Sequence, residues 1–165
     1  MAETDPALQT PTSLNRNDTR SVADALNGAL ANCYALYLKT KNFHWHVSGP
    51  HFRDYHLMLD DQAGQILAVT DDIAERVRKT GNTTLRSIGD IARRQTIVDN
   101  DREFVSATDM LAELREDNLK LVESFRAVKQ AADAAGDNAT GGMVDGWTDQ
   151  AEERAWFLFE ASRQG

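Results

Sequence analysis

Apolar positions recur at helical spacing in four long stretches of the chain, separated by polar or glycine-containing breaks. In the first, Val22, Leu26, Ala29, Leu30, Cys33, Leu36 and Tyr37 make one stripe, which predicts a helix capped by Asn17 or Asp18 and running to about Val47. Ser48-Gly49-Pro50 interrupts it. From His51 to Lys79 there is no proline, and Leu57, Leu59, Ile66, Leu67, Val69, Ile73 and Val77 predict a second long helix, with Gly81-Asn82 as its stop. A short amphipathic piece starting at Ser87, SIGDIARRQ, reads as a connecting helix. The third long helix starts near Ser106, with Asp109 completing a capping-box-like pattern, and continues through Met110, Leu111, Leu114, Leu121, Phe125 and Val128 to Gly136. The fourth spans Asn138 to Ser162, although Gly141, Gly142 and Gly146 each weaken its start by up to about 1 kcal/mol relative to alanine. Four long helices with a short one between the second and third predict an all-α, four-helix bundle with a long connection. Residues 1–17 read as a loose, aperiodic tail and 18–165 as one domain.

Composition agrees with this pattern. The 165 residues are 41% hydrophobic, and none of the three prolines lies beyond Pro50. A formal net charge of −8 and a pI near 4.9 disfavour a surface devoted to nucleic acid or anionic membrane and favour the attraction of cations. The tail holds Glu3 and Asp5 against Arg16, with no lysine, so it lacks the basic cluster that phosphate neutralisation requires. Cys33 is the single cysteine and has no partner for an internal disulfide. With no apolar leader and no span of about 18 apolar residues, a reducing cytoplasm is expected and no membrane partner.

The candidate chemistry lies on the second long helix. At about 100° per residue, His56, Asp60, Asp71 and Glu75 fall at about 0°, 40°, 60° and 100° around its axis, and so share a face. Along the axis, however, Asp60 and Asp71 are about 16 Å apart, whereas a metal–ligand bond is about 2.0–2.2 Å long, so one ion cannot join both pairs within one helix. Two copies crossed antiparallel remove the difficulty. Residues 56 with 75 and 60 with 71 share a midpoint between residues 65 and 66, so one two-fold axis there registers both pairs and makes two identical sites. Ala63, Gly64 and Ala68 are small residues near that crossing. His44, just before the Gly-Pro break, can turn back towards His56. A lone His/Asp pair at i, i+4 is commonly a solvated surface pair, but two such pairs with a shared midpoint are not. Imidazole with carboxylate suits a borderline, redox-capable ion such as Fe²⁺ better than Ca²⁺ or Mg²⁺.

The stretch KNFHWHVSGPHFRDYHLMLDD followed by TDDIAERV resembles the Dps family, the mini-ferritins named as DNA-binding proteins from starved cells. The resemblance covers residues 18 to 163 and is most specific in the spacing HW-x₁₀-H-x₃-D-x₁₀-D-x₃-E. It implies a ferritin-like four-helix bundle whose short helix lies in the B–C connection, and a dodecamer built from two-fold dimers. It also implies a ferroxidase centre of His44, His56 and Asp60 with Asp71 and Glu75 of the neighbouring subunit. The activity implied is oxidation of Fe²⁺, with hydrogen peroxide or O₂ as co-substrate, storage of ferric mineral in the cage and protection against oxidative damage.

By the same resemblance Trp45 is a redox-active neighbour of the centre, the alternative being simple aromatic packing. Asp145, Asp149, Glu152 and Glu153 form an acidic stripe on the fourth long helix. Such a stripe is ordinarily a solvated face, but the resemblance makes Asp145, Asp149 and Glu152 candidates for an iron-conducting three-fold pore. His46 and His51 read as surface histidines with auxiliary metal binding as the alternative, and Trp147 and Trp156 as interface or core aromatics. The runner-up function is non-specific DNA condensation, which family members achieve through lysine-rich tails. The lysine-free tail here implies weak DNA binding or none, so the location expected is cytoplasmic and nucleoid association stays open. A single-chain di-iron oxygenase would need Glu-x-x-His motifs, and no Glu here precedes a His by three residues. Zinc or manganese on the same ligands remains a rival.

Overall fold

The structure, a computed structural model, describes residues 4–163. The first three residues of the expected tail, and Gln164 and Gly165, lie outside them. The described residues form five α-helices and no strand: α1 (Arg16–His46), α2 (Phe52–Lys79), α3 (Ile88–Arg94), α4 (Ala107–Ala135) and α5 (Asn138–Ser162), with one 3₁₀ turn at Pro6–Leu8. The fold is the predicted all-helical bundle with its short helix in the α2–α4 connection.

Four of the five helices start where a short polar side chain satisfies a first free N–H group, the exception being α2, which follows His51 without a side-chain cap. Asn15 caps α1 through Asn17 N, two residues before Asn17 and three before Asp18, the expected caps. Ser106 caps α4 through Asp109 N, which is half of a reciprocal capping box. Asp137 caps α5 through Thr140 N and also pairs with Arg76 of α2 at 2.9 Å. That double use anchors α5 at the end where its glycines make it weakest. α4 stops at Gly136, whose φ of +66° is the left-handed conformation that glycine adopts without strain. Gly81, at φ +82°, ends α2 and lets the main chain of Thr10 approach so closely that a Cβ would sit 2.9 Å from its carbonyl oxygen.

α1 packs against α2 and α4, α4 packs against α5, and α2 meets α5 only sparsely. Phe43, Phe125, Leu26, Leu30, Leu59 and Ile66 fill the centre. Cys33 lies in the same core, where burial pushes its thiol up to about 12, so it stays protonated. Polar residues of α1 pin the long connection: Asn32 accepts from the main-chain N–H groups of Thr96 and Ile97, and Asn27 donates to the carbonyl of Thr83. Lys39, 5% exposed, bonds Asp117 at 2.6 Å and Glu113 at 3.0 Å, which ties α1 to α4 through a buried ion network.

Two apolar residues of the predicted α2 stripe are not in the core. Leu57 and Leu67 are 45% and 41% exposed. Their azimuths, about 100° and 20° from His56, place them among the candidate ligands rather than towards α1. Among the small residues, Ala63 is buried, while Gly64 and Ala68 are exposed on that outer face. No helix among the described residues is long and apolar enough to cross a membrane.

Candidate metal centre

α1 ends at His46, with the Val47 N–H returning to the carbonyl of Phe43, and the chain reverses through Ser48-Gly49-Pro50 into α2. The last turn of α1 therefore lies beside the first turns of α2, and His44 meets His56. Their rings stack with centroids 3.8 Å apart and planes 16° from parallel. His44 Nδ1 donates to the main-chain carbonyl of His56 at 2.7 Å, and His56 Nδ1 donates to that of His44 at 2.8 Å. Phe52 stacks on the other face of His56 at 5.0 Å. Because both Nδ1 atoms are committed as donors, each ring leaves Nε2 as its free lone pair, which is how a protein orients imidazoles towards a metal ion.

Asp60 stands one turn further along α2, with Oδ1 3.9 Å from His44 Nε2. Two ligands of one ion can be that far apart when each bond is about 2.0–2.2 Å long. The same oxygen accepts from Lys41 Nζ at 2.6 Å. This bond holds the Asp60 carboxyl below the usual carboxylate range; partial desolvation opposes it, and the charge of Lys41 reinforces it. Lys41 was not singled out from the sequence. The signal was present, since it lies three residues before His44 and hence on the same face of α1. Its ammonium also lies 5.8 Å from the ring centroid of Trp45, which is 57% exposed.

The chain thus brings His44, His56 and Asp60 together and leaves Asp71 and Glu75 apart. Both of these are exposed on α2, and Glu75 bonds Lys79 at 3.3 Å. Among the described residues no three His, Cys, Asp or Glu side chains of one chain converge closely enough to hold a metal ion. His46 and His51 are exposed away from this cluster. His46 Nδ1 lies 2.8 Å from the carbonyl of Asn42, and His51 is tilted against Tyr55.

The acidic stripe of α5 is exposed, and two of its members pair with α4. Asp145 lies 3.1 Å from Lys129, and Glu152 lies 3.4 Å from Arg126. Asp149 and Glu153 are exposed beside them. Trp147 is a core residue, 6% exposed and tilted against Phe125, whereas Trp156 is 60% exposed and edge-on to Phe157.

Comparison with known proteins agrees with the fold and with the family resemblance. A ferritin-like domain family matches residues 23–163. The DNA protection during starvation protein 1 of Deinococcus radiodurans is 32% identical over 145 residues, covering 88% of this chain and 70% of that protein. DpsC from Streptomyces coelicolor superposes with a TM-score of 0.91 at 25% identity, covering 95% of this chain and 92% of that one. A Dps protein from Bacillus brevis gives 0.86 at 28% identity, covering 91% and 100%. With the ferritin-like match spanning most of the chain and Dps proteins recurring among both relatives and structures, the protein belongs to the Dps family of ferritin-like proteins.

Proposed function

We propose that this protein is a mini-ferritin that oxidises Fe²⁺ with hydrogen peroxide, or with O₂, at centres shared across a two-fold interface, and stores the ferric product inside a dodecameric cage in the cytoplasm. The observation that carries this reading is the half-site formed by His44, His56 and Asp60. It offers two free imidazole nitrogens and one carboxylate at the edge of an exposed helix face. Asp71 and Glu75 of the partner subunit supply the missing carboxylates when two α2 helices cross with Gly64 and Ala68 near the dyad. The exposed Leu57 and Leu67 give that crossing apolar surface to bury.

Iron is the substrate in this scheme. Imidazole and carboxylate together accept Fe²⁺, and the carboxylates favour the harder Fe³⁺. Two Fe²⁺ ions give one electron each to one peroxide, which takes up two protons, breaks its O–O bond and leaves as two waters. Taking both electrons at one centre avoids release of a hydroxyl radical. Lys41 must give up Asp60 Oδ1 when iron arrives, since the oxygen that would meet the ion is the one it holds. Asp145, Asp149 and Glu152 are the proposed cation path into the cage, with Trp45 as the redox-active neighbour of the centre.

Stopped-flow oxidation of Fe²⁺ by peroxide tests the reading. The parent is expected to consume both in a two-to-one ratio, and the His56→Ala, Asp60→Ala double variant to be slower by at least about a hundredfold. Equal rates would remove the centre. DNA binding is expected to be weak or absent, because the described tail and surface offer no lysine-rich arm; a gel-shift complex surviving about 0.15 M salt would contradict this.

A further inference from the structure

The sparse contact between α2 and α5 leaves a cleft of about 290 Å³, whose lining includes Met58, Gln62, Arg154 and Phe157, with Asp61 and Glu153 among its walls. Two of these residues are polar and more than nine-tenths buried. Arg154 is 3% exposed, and its Nε donates to Asn118 Oδ1 at 2.8 Å. Among the described residues its two Nη groups have no hydrogen-bond acceptor, and no carboxylate forms an ion pair with it. Burial pulls Arg154 down to about 10, with the nearby charge of Glu153 opposing the shift, so it remains cationic at neutral pH. A guanidinium this enclosed, with one neutral amide as its hydrogen-bond partner, favours an anion within reach of its Nη groups.

Gln62, 3% exposed, is the complementary half. Its Nε2 donates to the main-chain carbonyl of Arg154 at 3.3 Å, while its Oε1 is buried with no donor. Exchanging the amide's two ends would set Oε1 against that carbonyl, so the orientation is fixed. A matching ligand must accept from Arg154 and donate to Gln62. Sulfate and carboxylates carry no proton at neutral pH and fail the second requirement. Orthophosphate keeps at least one P–OH and meets both. The carboxylates of Asp61 and Glu153 further favour a protonated monoanion over a fully ionised one.

We propose that the α2–α5 cleft binds orthophosphate, with the Arg154 guanidinium on its ionised oxygens and Gln62 Oε1 accepting from its P–OH. This does not depend on the iron-centre assignment. Gln62 is nonetheless two residues from Asp60, so phosphate would be held on the helix that carries a proposed iron ligand.

Titration calorimetry on the iron-free assembled protein, with sodium phosphate and sodium sulfate at matched ionic strength and pH 7, tests the proposal. One phosphate per chain is expected, preferred over sulfate by about tenfold, the scale of one hydrogen bond to a buried acceptor. Gln62→Leu, close in volume and without the acceptor, should bring phosphate down to the sulfate level and leave sulfate unchanged. Arg154→Met should abolish both, with circular dichroism confirming that it is folded. No saturable phosphate binding, equal binding of the two anions by the parent, or a preference that survives Gln62→Leu would each overturn the proposal.

Discussion

His44 and His56 hold each other through reciprocal bonds from Nδ1 to the other residue's main-chain carbonyl, with their rings stacked at 3.8 Å. Because both acceptors are main-chain atoms, removing one ring leaves the other ring's hydrogen bond in place. His44→Ala should therefore cost only about 1–2 kcal/mol in urea unfolding, the scale of one lost hydrogen bond with some packing. Iron oxidation should fall by at least about tenfold. Collapse of the fold in this variant would mean that the pair is primarily a structural clamp.

Lys41 competes with any metal ion for Asp60 Oδ1. Lys41→Met keeps the apolar stem and removes the ammonium, so Fe²⁺ or the redox-inert Zn²⁺ should bind about two- to fivefold more tightly, in line with the modest strength of exposed ion pairs. Titration calorimetry with Zn²⁺ checks this. Weaker binding would show that Lys41 positions Asp60 instead of blocking it.

Gly64 is exposed, and a Cβ placed there meets nothing within 4 Å in the single chain. Gly64→Leu should thus leave helix content and the protomer fold intact while obstructing the crossing of two α2 helices. Light scattering is expected to show a species well below twelve times 18.3 kDa, with oxidation lost alongside assembly. An intact assembly would move the dyad away from residues 65 and 66.

Asp137 caps α5 and meets Arg76 at 2.9 Å. Burial alone would raise its carboxyl, but hydrogen bonds from Thr140 and Arg76 outweigh burial and hold it below its ordinary value of 3.8. A depressed carboxylate stabilises the fold above its unfolded pKa, and that stability is lost as pH falls through the folded one. Asp137→Asn should therefore cost about 2 kcal/mol from pH 5 to 8, with the difference from the parent shrinking below about pH 4. Chemical unfolding across that range measures it.

The bundle was legible because buried stripes such as Leu26, Leu30, Cys33 and Leu36 keep the helical period, and because Gly136 and Ser106 punctuate it. The meeting of His44, His56 and Asp60 was legible for a related reason: His56 and Asp60 are one turn apart on a single helix, and the break after His44 forces a reversal. Periodicity misled at Leu57 and Leu67, since it records that a position is apolar and not whether its cover comes from the same chain. Lys41, Arg154 and Gln62 escaped notice for another reason. Their partners, Asp60 and Asn118 among them, come from other helices; spacing sets Lys41 on the face of His44 but does not record which residue of another helix a side chain meets.

The central claim is that each iron centre takes residues from two chains, and mixing two inactive variants tests it most directly. One variant carries His56→Ala with Asp60→Ala, the other Asp71→Ala with Glu75→Ala, and each alone should be unable to oxidise Fe²⁺ at the centre. Co-assembled in equal amounts, half the dimers are mixed and each mixed dimer holds one intact site, so roughly one quarter of the parent's fast oxidation should return. If the mixed assembly forms and stays as inactive as its components, the centre is not shared between chains.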